Sequence, residues 1–202
     1  AGLEKAYVPD GITTIGEGAF YGCKSLKEAV ISDDVIAIGD RAFNYSTLGK
    51  VTFSDNSRLD AVGKRAFAGT KLQEFVFPAS VTSIGEEAFS GSTLHSVALP
   101  EGITTIRASQ FKDCLLRSVC IPDSVRSIED NAFDKCLIEG LYIPESVESI
   151  GTSAFSGVVG AITVDANNES FFSENGVLYT ADKTRLIRYP SAMTETEYHI
   201  PD

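Results

Sequence analysis

The sequence predicts an α/β fold in the form of a solenoid, in which similar coils stack side by side around one interior. The main observation is a set of phenylalanines separated by 22–24 residues: Phe20, Phe43, Phe67, Phe89, Phe111, Phe133 and Phe155. Two further features are a short alternating apolar stretch that proline follows in most coils, and an Ala–Phe pair later in every coil but one.

Each coil is predicted to begin with a short strand. In the fourth coil Phe75 and Phe77 alternate with Glu74 and Val76, which is the period of two that a β-strand requires. A proline then ends the strand, because it has no amide hydrogen for the ladder. Proline fills this position in most coils, as Pro9, Pro78, Pro100, Pro122 and Pro144, and serine does so as Ser32 and Ser54.

The rest of each coil is predicted to turn across the other side of the solenoid. Val81 and Ile84 should point inward, and the Ala–Phe pair should lie on one short helical or 3₁₀ turn. A glycine column, comprising Gly16, Gly39, Gly63, Gly85 and Gly151, suggests a backbone position that favours φ > 0. Arg107 and Glu129 depart from this column, and Gln110 replaces the alanine of the pair.

The phenylalanines are predicted to form a structural column in the interior. Burying one such ring contributes about 1.5–3 kcal/mol. Truncating it to alanine should cost roughly 3–5 kcal/mol, because a cavity remains. We therefore assign the column to the core and not to a ligand site.

The combined pattern, Leu-x-x-Val-x-Ile-Pro-x-x-Val-x-x-Ile-Gly-x-x-Ala-Phe-x-x-Cys, resembles the BspA-like branch of bacterial leucine-rich repeats, and treponemal leucine-rich repeats are similar. The match covers about residues 3–160 and recurs seven times. The resemblance implies a right-handed solenoid with a parallel sheet on its concave face. It also implies a secreted or surface-anchored bacterial protein, often an adhesin, and it carries no fixed set of functional residues.

The period is lost after Val164, so we divide the chain into a solenoid of about seven coils (1–164) and an elaboration of the same domain (165–202). Asn175-Gly176 and the stretch 181–184 predict the turns of a β-hairpin or meander. Residues 198–202 resemble the opening Tyr-Val-Pro-Asp and read as the start of a further repeat. Because neither end reads as a polar cap, we expect the natural chain to continue beyond Asp202.

The net charge of −11 argues against nucleic-acid binding and against an anionic membrane surface. The acidic residues are scattered over all coils, which favours a role in solubility over a specific patch for a basic partner or divalent ions. No apolar run is long enough for membrane insertion of this segment. Nothing in the sequence sets the oligomeric state.

The cysteines and histidines predict no metal site and no cofactor. There is no Cys-x-x-Cys pair, and the chain has only two histidines. Cys114 and Cys136 occupy one tight slot on adjacent coils and are most simply free, although stacking leaves a disulfide open. Cys120 falls on an outward strand position. No catalytic motif is present, so an enzyme is not expected.

The outward side of the concave sheet is the predicted binding surface. We expect His95, Arg117, Cys120 and Tyr142 to form a protein-contacting patch, with Glu74 and Lys50 on the same face. The tail aromatics, Phe171, Phe172, Tyr179 and Tyr189, should instead cover the end of the core.

These features predict a non-catalytic extracellular protein-binding or adhesion module. Its partner would be an extracellular protein of the host matrix or of another bacterial surface. The alternative is a structural spacer that holds another part of a larger surface protein away from the cell. Binding of the segment to matrix proteins would separate the two hypotheses.

Overall fold

The computed structural model describes residues 2–200, and these residues form a parallel β-solenoid that contains no helix. Each coil contributes one strand to a main ladder, except the fourth, where residues 72–78 form no strand. The strands of the main ladder are β1 (Lys5–Val8), β3 (Glu28–Ile31), β5 (Lys50–Thr52), β8 (Ser96–Ala98), β10 (Ser118–Cys120), β12 (Leu141–Ile143) and β14 (Ile162–Val164).

The main ladder consists of three parallel groups: β1-β3-β5, β8-β10 and β12-β14. Within each group equivalent residues of adjacent coils pair directly, as Val97 does with Val119. The alternation predicted for the fourth coil holds in burial even without strand pairing, since Phe75 is 6% exposed and Val76 is 79% exposed. Strands that precede a proline stop before it, as β12 stops before Pro144.

A second parallel ladder, which the repeat pattern did not reveal, lies where the chain turns away from the main ladder. It is built from two-residue strands: β2 (Thr14–Ile15), β4 (Ala37–Ile38), β6 (Ala61–Val62), β7 (Ser83–Ile84), β9 (Thr105–Ile106), β11 (Ser127–Ile128) and β13 (Ser149–Ile150). These strands form the groups β2-β4-β6-β7 and β9-β11-β13. Their second residue points inward and is buried in most coils.

The interruption between β7 and β9 coincides with two departures from the repeat. In the fourth coil the amide of Gly85 donates to the carbonyl of Val62 in the preceding coil. The equivalent amide of Arg107 instead donates to Oε1 of Gln110 at 2.8 Å. Gln110 therefore captures a donor that would otherwise continue the ladder.

The phenylalanine column lies in the interior as predicted. Successive rings stack with centroids 5.0–6.2 Å apart and interplanar angles of 4–18°. The five central rings, from Phe43 to Phe133, are fully buried, whereas Phe20 in the first coil is partly exposed. One hydrophobic core thus runs through all the coils.

The Ala–Phe pair does not lie on a helical or 3₁₀ turn, so that prediction and the α/β class are not confirmed. The pair is held by consecutive tight turns, such as the one closed by Ala42 N–H donating to Gly39 O. Residues with positive φ flank the phenylalanine on both sides, as Arg41 (54°) and Tyr45 (55°) flank Phe43. Because a right-handed helix needs negative φ throughout, these positions prevent helix formation.

Alternate amides on this turn side bond to the next coil instead. Phe43 N–H donates to Ala66 O, and Tyr45 N–H donates to Ala68 O, each at 2.8 Å. The turn side, meaning the residues around each Ala–Phe pair, is therefore held to its neighbour by main-chain hydrogen bonds as the main ladder is. Each coil depends on the adjacent coils for its backbone partners.

The prediction of positive φ for the glycine column is wrong. None of its members has positive φ, and that conformation falls two residues later, at Gly18 and its equivalents. The column selects glycine for another reason, which is close contact between coils. A Cβ on Gly63 would lie 2.6 Å from the amide nitrogen of Asp40, and one on Gly85 would lie 2.6 Å from that of Lys64.

The tail forms an antiparallel three-stranded meander of β15 (Phe171–Glu174), β16 (Val177–Thr180) and β17 (Leu186–Arg188). Asn175 and Gly176 both have positive φ and join β15 to β16, as a type I′ turn requires. Of the aromatics predicted to cover the core, Phe171 and Tyr179 are buried.

The tail, from residue 165 onward, also forms hydrogen bonds with the seventh coil. Arg188 Nη2 donates to the carbonyls of Ser156 and Val158, each at 2.9 Å. Asn168 Nδ2 donates to the carbonyls of Pro144 and Val147, and its Oδ1 accepts from two tail amides. The tail thus supplies donors to main-chain carbonyls of the seventh coil, a role that the sequence did not indicate. Residues 201–202 lie outside the described chain, so the predicted start of a further repeat is described only up to Ile200.

Candidate functional site

The outward residues of the main ladder define a surface that we call the strand face, the face predicted to be concave. One row of it runs along the middle of the ladder. Pairing of adjacent strands aligns Tyr7 with Val30 and Thr52, Ala98 with Cys120, and Tyr142 with Thr163. Repeat spacing places Val76 of the fourth coil in the same row. We call Val76, Ala98, Cys120 and Tyr142 the apolar row.

All six predicted binding residues are exposed: Lys50, Glu74, Cys120 and Tyr142 at outward positions of the strand face, and His95 and Arg117 at its border, directly before β8 and β10. His95 and Arg117 occupy adjacent coils, since Arg117 N–H donates to His95 O at 2.9 Å. Cys120 and Tyr142 belong to the apolar row. Lys50 and Glu74 line one groove near the third and fourth coils.

Two of the predicted side chains are already engaged within the molecule. Arg117 Nη1 lies 2.7 Å from Oε1 of Glu139 on the next coil. Tyr142 donates its hydroxyl hydrogen to Asp165. This bond raises the pKa of the Tyr142 phenol and lowers the pKa of the Asp165 carboxyl, because it stabilises the neutral phenol and the carboxylate together. Both partners hold the predicted binding side chains in defined orientations.

Val76 is the feature of this face that sequence reasoning did not select. Its side chain is 79% exposed, and open grooves of about 470 and 460 Å³ lie on its two sides. Phe77 lines both grooves, Phe53 lines the first and Ala98 the second. The signal in the sequence was a β-branched apolar residue at an outward strand position. A row of apolar side chains is thus available to a partner.

Acidic side chains converge at the far end of the strand face. An open groove of about 670 Å³ is lined by Tyr142, one arginine and five carboxylates. The sequence did not reveal this groove, because its acidic residues come from two coils and the tail and are scattered along the chain. The charged lining residues are Asp123, Arg126, Glu145, Glu148, Asp165 and Glu169.

Ion pairs tie the coils to one another around this face and on the turn side. Residues 22–24 apart pair in each case, as Lys5 does with Glu28 at 2.9 Å and Arg65 with Glu87 at 2.7 Å. The partners are largely exposed, so each pair orients side chains more than it stabilises the fold.

All four cysteines are free thiols, so Cys114 and Cys136 do not form a disulfide. Each of these two buried thiols donates to the carbonyl of a phenylalanine in the preceding coil, Cys114 to Phe89 and Cys136 to Phe111. Burial raises the pKa of the Cys114 thiol to about 11 and raises the pKa of Cys136 as well. Cys120 is exposed, as predicted from its outward position.

Within residues 2–200 no group of three or more His, Cys, Asp or Glu side chains is arranged to hold a metal ion. The same part of the chain contains no helix with the length and apolar character needed to cross a bilayer.

Comparisons with known proteins agree with this architecture. The profile of the BspA type leucine rich repeat region matches the chain in overlapping stretches, at residues 1–116, 60–171 and 104–200. A search of curated proteins found no match.

Several solved structures are similar to the chain over most of its length. A leucine rich cell surface protein from Faecalibacterium prausnitzii A2-165 is 32% identical, with a TM-score of 0.85 over 100% of this chain and 58% of that one. The pneumococcal vaccine antigen PcpA is 26% identical, with a TM-score of 0.63 over 98% of this chain and 49% of that one. The leucine-rich repeat protein TpLRR of T. pallidum is 31% identical, with a TM-score of 0.64 over 76% of each chain.

The chain therefore spans about half the length of the first two of these structures. Repeat sequence, coil geometry and relatives all lead to one assignment. This chain belongs to the family of BspA-type leucine-rich repeat proteins.

Proposed function

We propose that this chain is a non-catalytic protein-binding or adhesion module at a bacterial cell surface, and that it recognises an extracellular protein through the strand face. The observation that carries the proposal is the apolar row, whose side chains are exposed and whose members Ala98 and Cys120 belong to paired strands, as does Tyr142 with Thr163. The partner class is a host matrix protein or a surface protein of another bacterium.

The composition of the face supports a protein partner. Val76 and Tyr142 expose apolar surface at the centre, and His95, Arg117 and Glu139 form a polar row beside them. Protein interfaces combine an apolar centre with a polar rim, and tyrosine and arginine are enriched at their hot spots.

The rigidity of the scaffold also supports recognition through a surface that is ordered before binding. Stacked phenylalanines fill the interior and ion pairs link neighbouring coils, so the strand face is ordered before any partner arrives. A preorganised surface loses little conformational entropy on binding, which favours affinity.

The acidic groove suggests the charge of the partner. Five carboxylates and one guanidinium line it beside Tyr142. A partner segment that carries lysine or arginine would complement this potential, and its association rate should fall as salt is added.

Surface localisation is supported by the relatives. One similar structure is described as a cell surface protein and another as a vaccine antigen. Display outside the cell is the setting in which an exposed apolar row would meet foreign proteins.

A second candidate is the spacer function, and the continuous core favours it. The same interior stacking that orders the strand face would also make the chain a stiff arm. The two functions differ in one respect: a spacer tolerates changes of its outward side chains.

The test is binding of the purified chain to immobilised collagen, laminin and fibronectin and to extracts of bacterial surface protein, measured by biolayer interferometry. We expect Val76→Asp, Arg117→Ala and Tyr142→Ala each to weaken a detected interaction about 10-fold or more, the equivalent of 1.4 kcal/mol. Tyr7→Ala is the matched control, because Tyr7 lies in the same row at the other end and is 69% exposed.

Binding that is insensitive to all three substitutions would exclude the strand face as the recognition surface. No binding to any member of the panel would favour the spacer. Circular dichroism and thermal melting of each variant would show that these exposed changes leave the fold intact.

A further inference from the structure

A second candidate site lies on the turn side of the first three coils, remote from the strand face. It is an open groove of about 620 Å³, which we call the tyrosine groove. That volume falls in the range of small-ligand pockets, roughly 300–1,000 Å³. Its lining combines exposed aromatic rings, charged side chains and one buried amide: Glu17, Gly18, Tyr21, Arg41, Asn44, Tyr45 and Arg65.

The aromatic part of the groove is held in place by its surroundings. Tyr21 and Tyr45 are 55% and 56% exposed, and their rings meet edge to face with centroids 6.2 Å apart. Tyr45 is the only aromatic residue with positive φ among residues 2–200, although glycine fills this position in the coils on either side, as Gly22 and Gly69. Asp113 and Lys135 adopt the same conformation at this position of later coils, so positive φ here belongs to the repeat and fixes the direction in which the Tyr45 side chain leaves the backbone.

Gly69 is required for this placement of the ring. A Cβ on Gly69 would lie 2.6 Å from Cδ1 of Tyr45, so only glycine leaves room for the ring here. On the other side, Lys24 Nζ donates to the Tyr45 carbonyl at 2.6 Å. The groove thus presents preorganised aromatic faces to solvent.

The polar part of the groove includes a buried acceptor that the protein leaves unused. Asn44 is 3% exposed, and its Oδ1 has no hydrogen-bond partner in the protein. A buried acceptor without a partner carries a free-energy cost. A ligand that donates a hydrogen bond to Asn44 would recover this energy.

The charges in the groove balance one another. Arg41 lies 3.6 Å from Glu17, and Arg65 forms two hydrogen bonds with Glu87. An anionic ligand would meet Glu17 and could not donate to Asn44, since a carboxylate or phosphate only accepts. A cationic ligand would be repelled by Arg41, Arg65 and Lys24. A neutral ligand with several hydroxyl groups fits, because each hydroxyl both donates and accepts.

We propose that the tyrosine groove binds a neutral carbohydrate. The apolar face of a sugar ring packs on the Tyr21 ring and meets the nearly perpendicular ring of Tyr45 at its edge, a hydroxyl donates to Asn44 Oδ1, and other hydroxyls accept from Arg41. This site is independent of the protein-binding function proposed for the strand face.

The test is titration of the full ¹⁵N-labelled chain with neutral oligosaccharides: maltotetraose, cellotetraose, mannotriose, lactose and N,N′,N″-triacetylchitotriose. Acetate and sialyllactose serve as anionic probes. We expect at least one neutral saccharide to shift the Gly22 and Gly69 amides and the Asn44 side-chain amide, with a dissociation constant of about 1 mM or below. Tyr21→Ala should weaken this binding about 10-fold or more.

Asn44→Ala should weaken binding, and it breaks no hydrogen bond to Oδ1, because that atom has no partner in the free protein. Thermal melting of this variant measures the effect of truncating a buried side chain on the fold. Tyr7→Ala, which removes an exposed tyrosine from the strand face, should leave saccharide binding unchanged. Three outcomes would overturn the proposal: no shift with any neutral saccharide, shifts that survive Tyr21→Ala, or shifts produced only by the anionic probes. None of them bears on protein binding by the strand face.

Discussion

The interior and the strand face of this solenoid are built on the same period, and yet they differ in what they repeat. The interior repeats one side chain: a phenylalanine stands in every coil, from Phe20 to Phe155, and each ring stacks on the next. The row of outward residues changes from coil to coil, from Tyr7 through Val76 to Tyr142. Stacking requires the same side chain in each coil, because a smaller residue would leave a gap in the core. A contact surface gains specificity when its side chains differ from coil to coil.

The largest expected effect comes from the interior. Phe89→Ala should lower the free energy of unfolding by roughly 3–5 kcal/mol, because the ring is fully buried and contacts Phe67, Phe75 and Phe111. Chemical denaturation followed by circular dichroism measures the change.

The contrasting substitution is Val76→Ala on the strand face. Because this side chain is 79% exposed, its truncation should change stability by less than about 0.5 kcal/mol. Equal losses for Phe89→Ala and Val76→Ala would contradict the division between a uniform interior and a variable face.

A medium effect is expected where one coil touches the next. Gly63→Ala should destabilise the protein by about 1–3 kcal/mol, because the new Cβ would lie 2.6 Å from the Asp40 backbone. Gly16→Ala is the control from the same column: a Cβ on Gly16 has no neighbour within 4 Å. If thermal melting shows the two variants to be equally stable, close approach between coils is not the reason for the glycine column.

The smallest expected change in stability concerns the cysteines, which occur both in the interior and on the strand face. The folded-state pKa of Cys114 is raised to about 11 by burial, above the value of about 8.5 for an unperturbed thiol. The stability that depends on the neutral thiol is present below about pH 8.5 and is lost as the pH rises toward 11. Stability should therefore fall over this range.

Replacing Cys114 and Cys136 together by serine should flatten that fall. Serine occupies the same slot in other coils, as Ser46 and Ser92, so the fold should accept it. In native protein at neutral pH, the reagent DTNB should modify the exposed Cys120 before Cys114 or Cys136. Rapid modification of all three thiols would show that the interior is open to solvent.

Sequence reasoning was reliable wherever one physical requirement selects one residue type. The phenylalanine column, the prolines after the strands and the Asn175-Gly176 turn were predicted because core filling, loss of a donor and a type I′ turn each have a narrow solution. It failed where two requirements select the same residue. Glycine permits positive φ, and it also permits close approach of the backbones of adjacent coils. At Gly63 the second reason applies.

The turn side was mispredicted because positive φ is carried there by ordinary residues. Arg41, Glu87 and Ser109 adopt it in positions that no composition rule marks, and hydrogen bonds to the next coil hold them there. The second ladder was missed because strands of two residues leave almost no periodic signal. These are tertiary effects that a single coil does not contain.

For the candidate site, the sequence predicted which residues are exposed, but it predicted only some of their side-chain partners. The Arg117–Glu139 pair follows from a spacing of 22 residues between coils. The bond from Tyr142 to Asp165 spans 23 residues but reaches the segment where the repeat is lost, so the period no longer identifies it. The tyrosine groove depends on the positive φ of Tyr45, which the glycines at the same position of the neighbouring coils, Gly22 and Gly69, could have indicated.

The hydrogen bonds between coils have a consequence for how this architecture can change in length. Because the coils from Phe67 onward share a spacing of 22 residues, removing 22 consecutive residues there would join two breakpoints that already have the same surroundings. The main-chain donors, the interior phenylalanine ring and the charged side chains at the junction would each meet an equivalent group on the new neighbouring coil. Unequal recombination within the gene can therefore shorten or extend the reach of the molecule in whole units while leaving the outward residues of each remaining unit free to diverge.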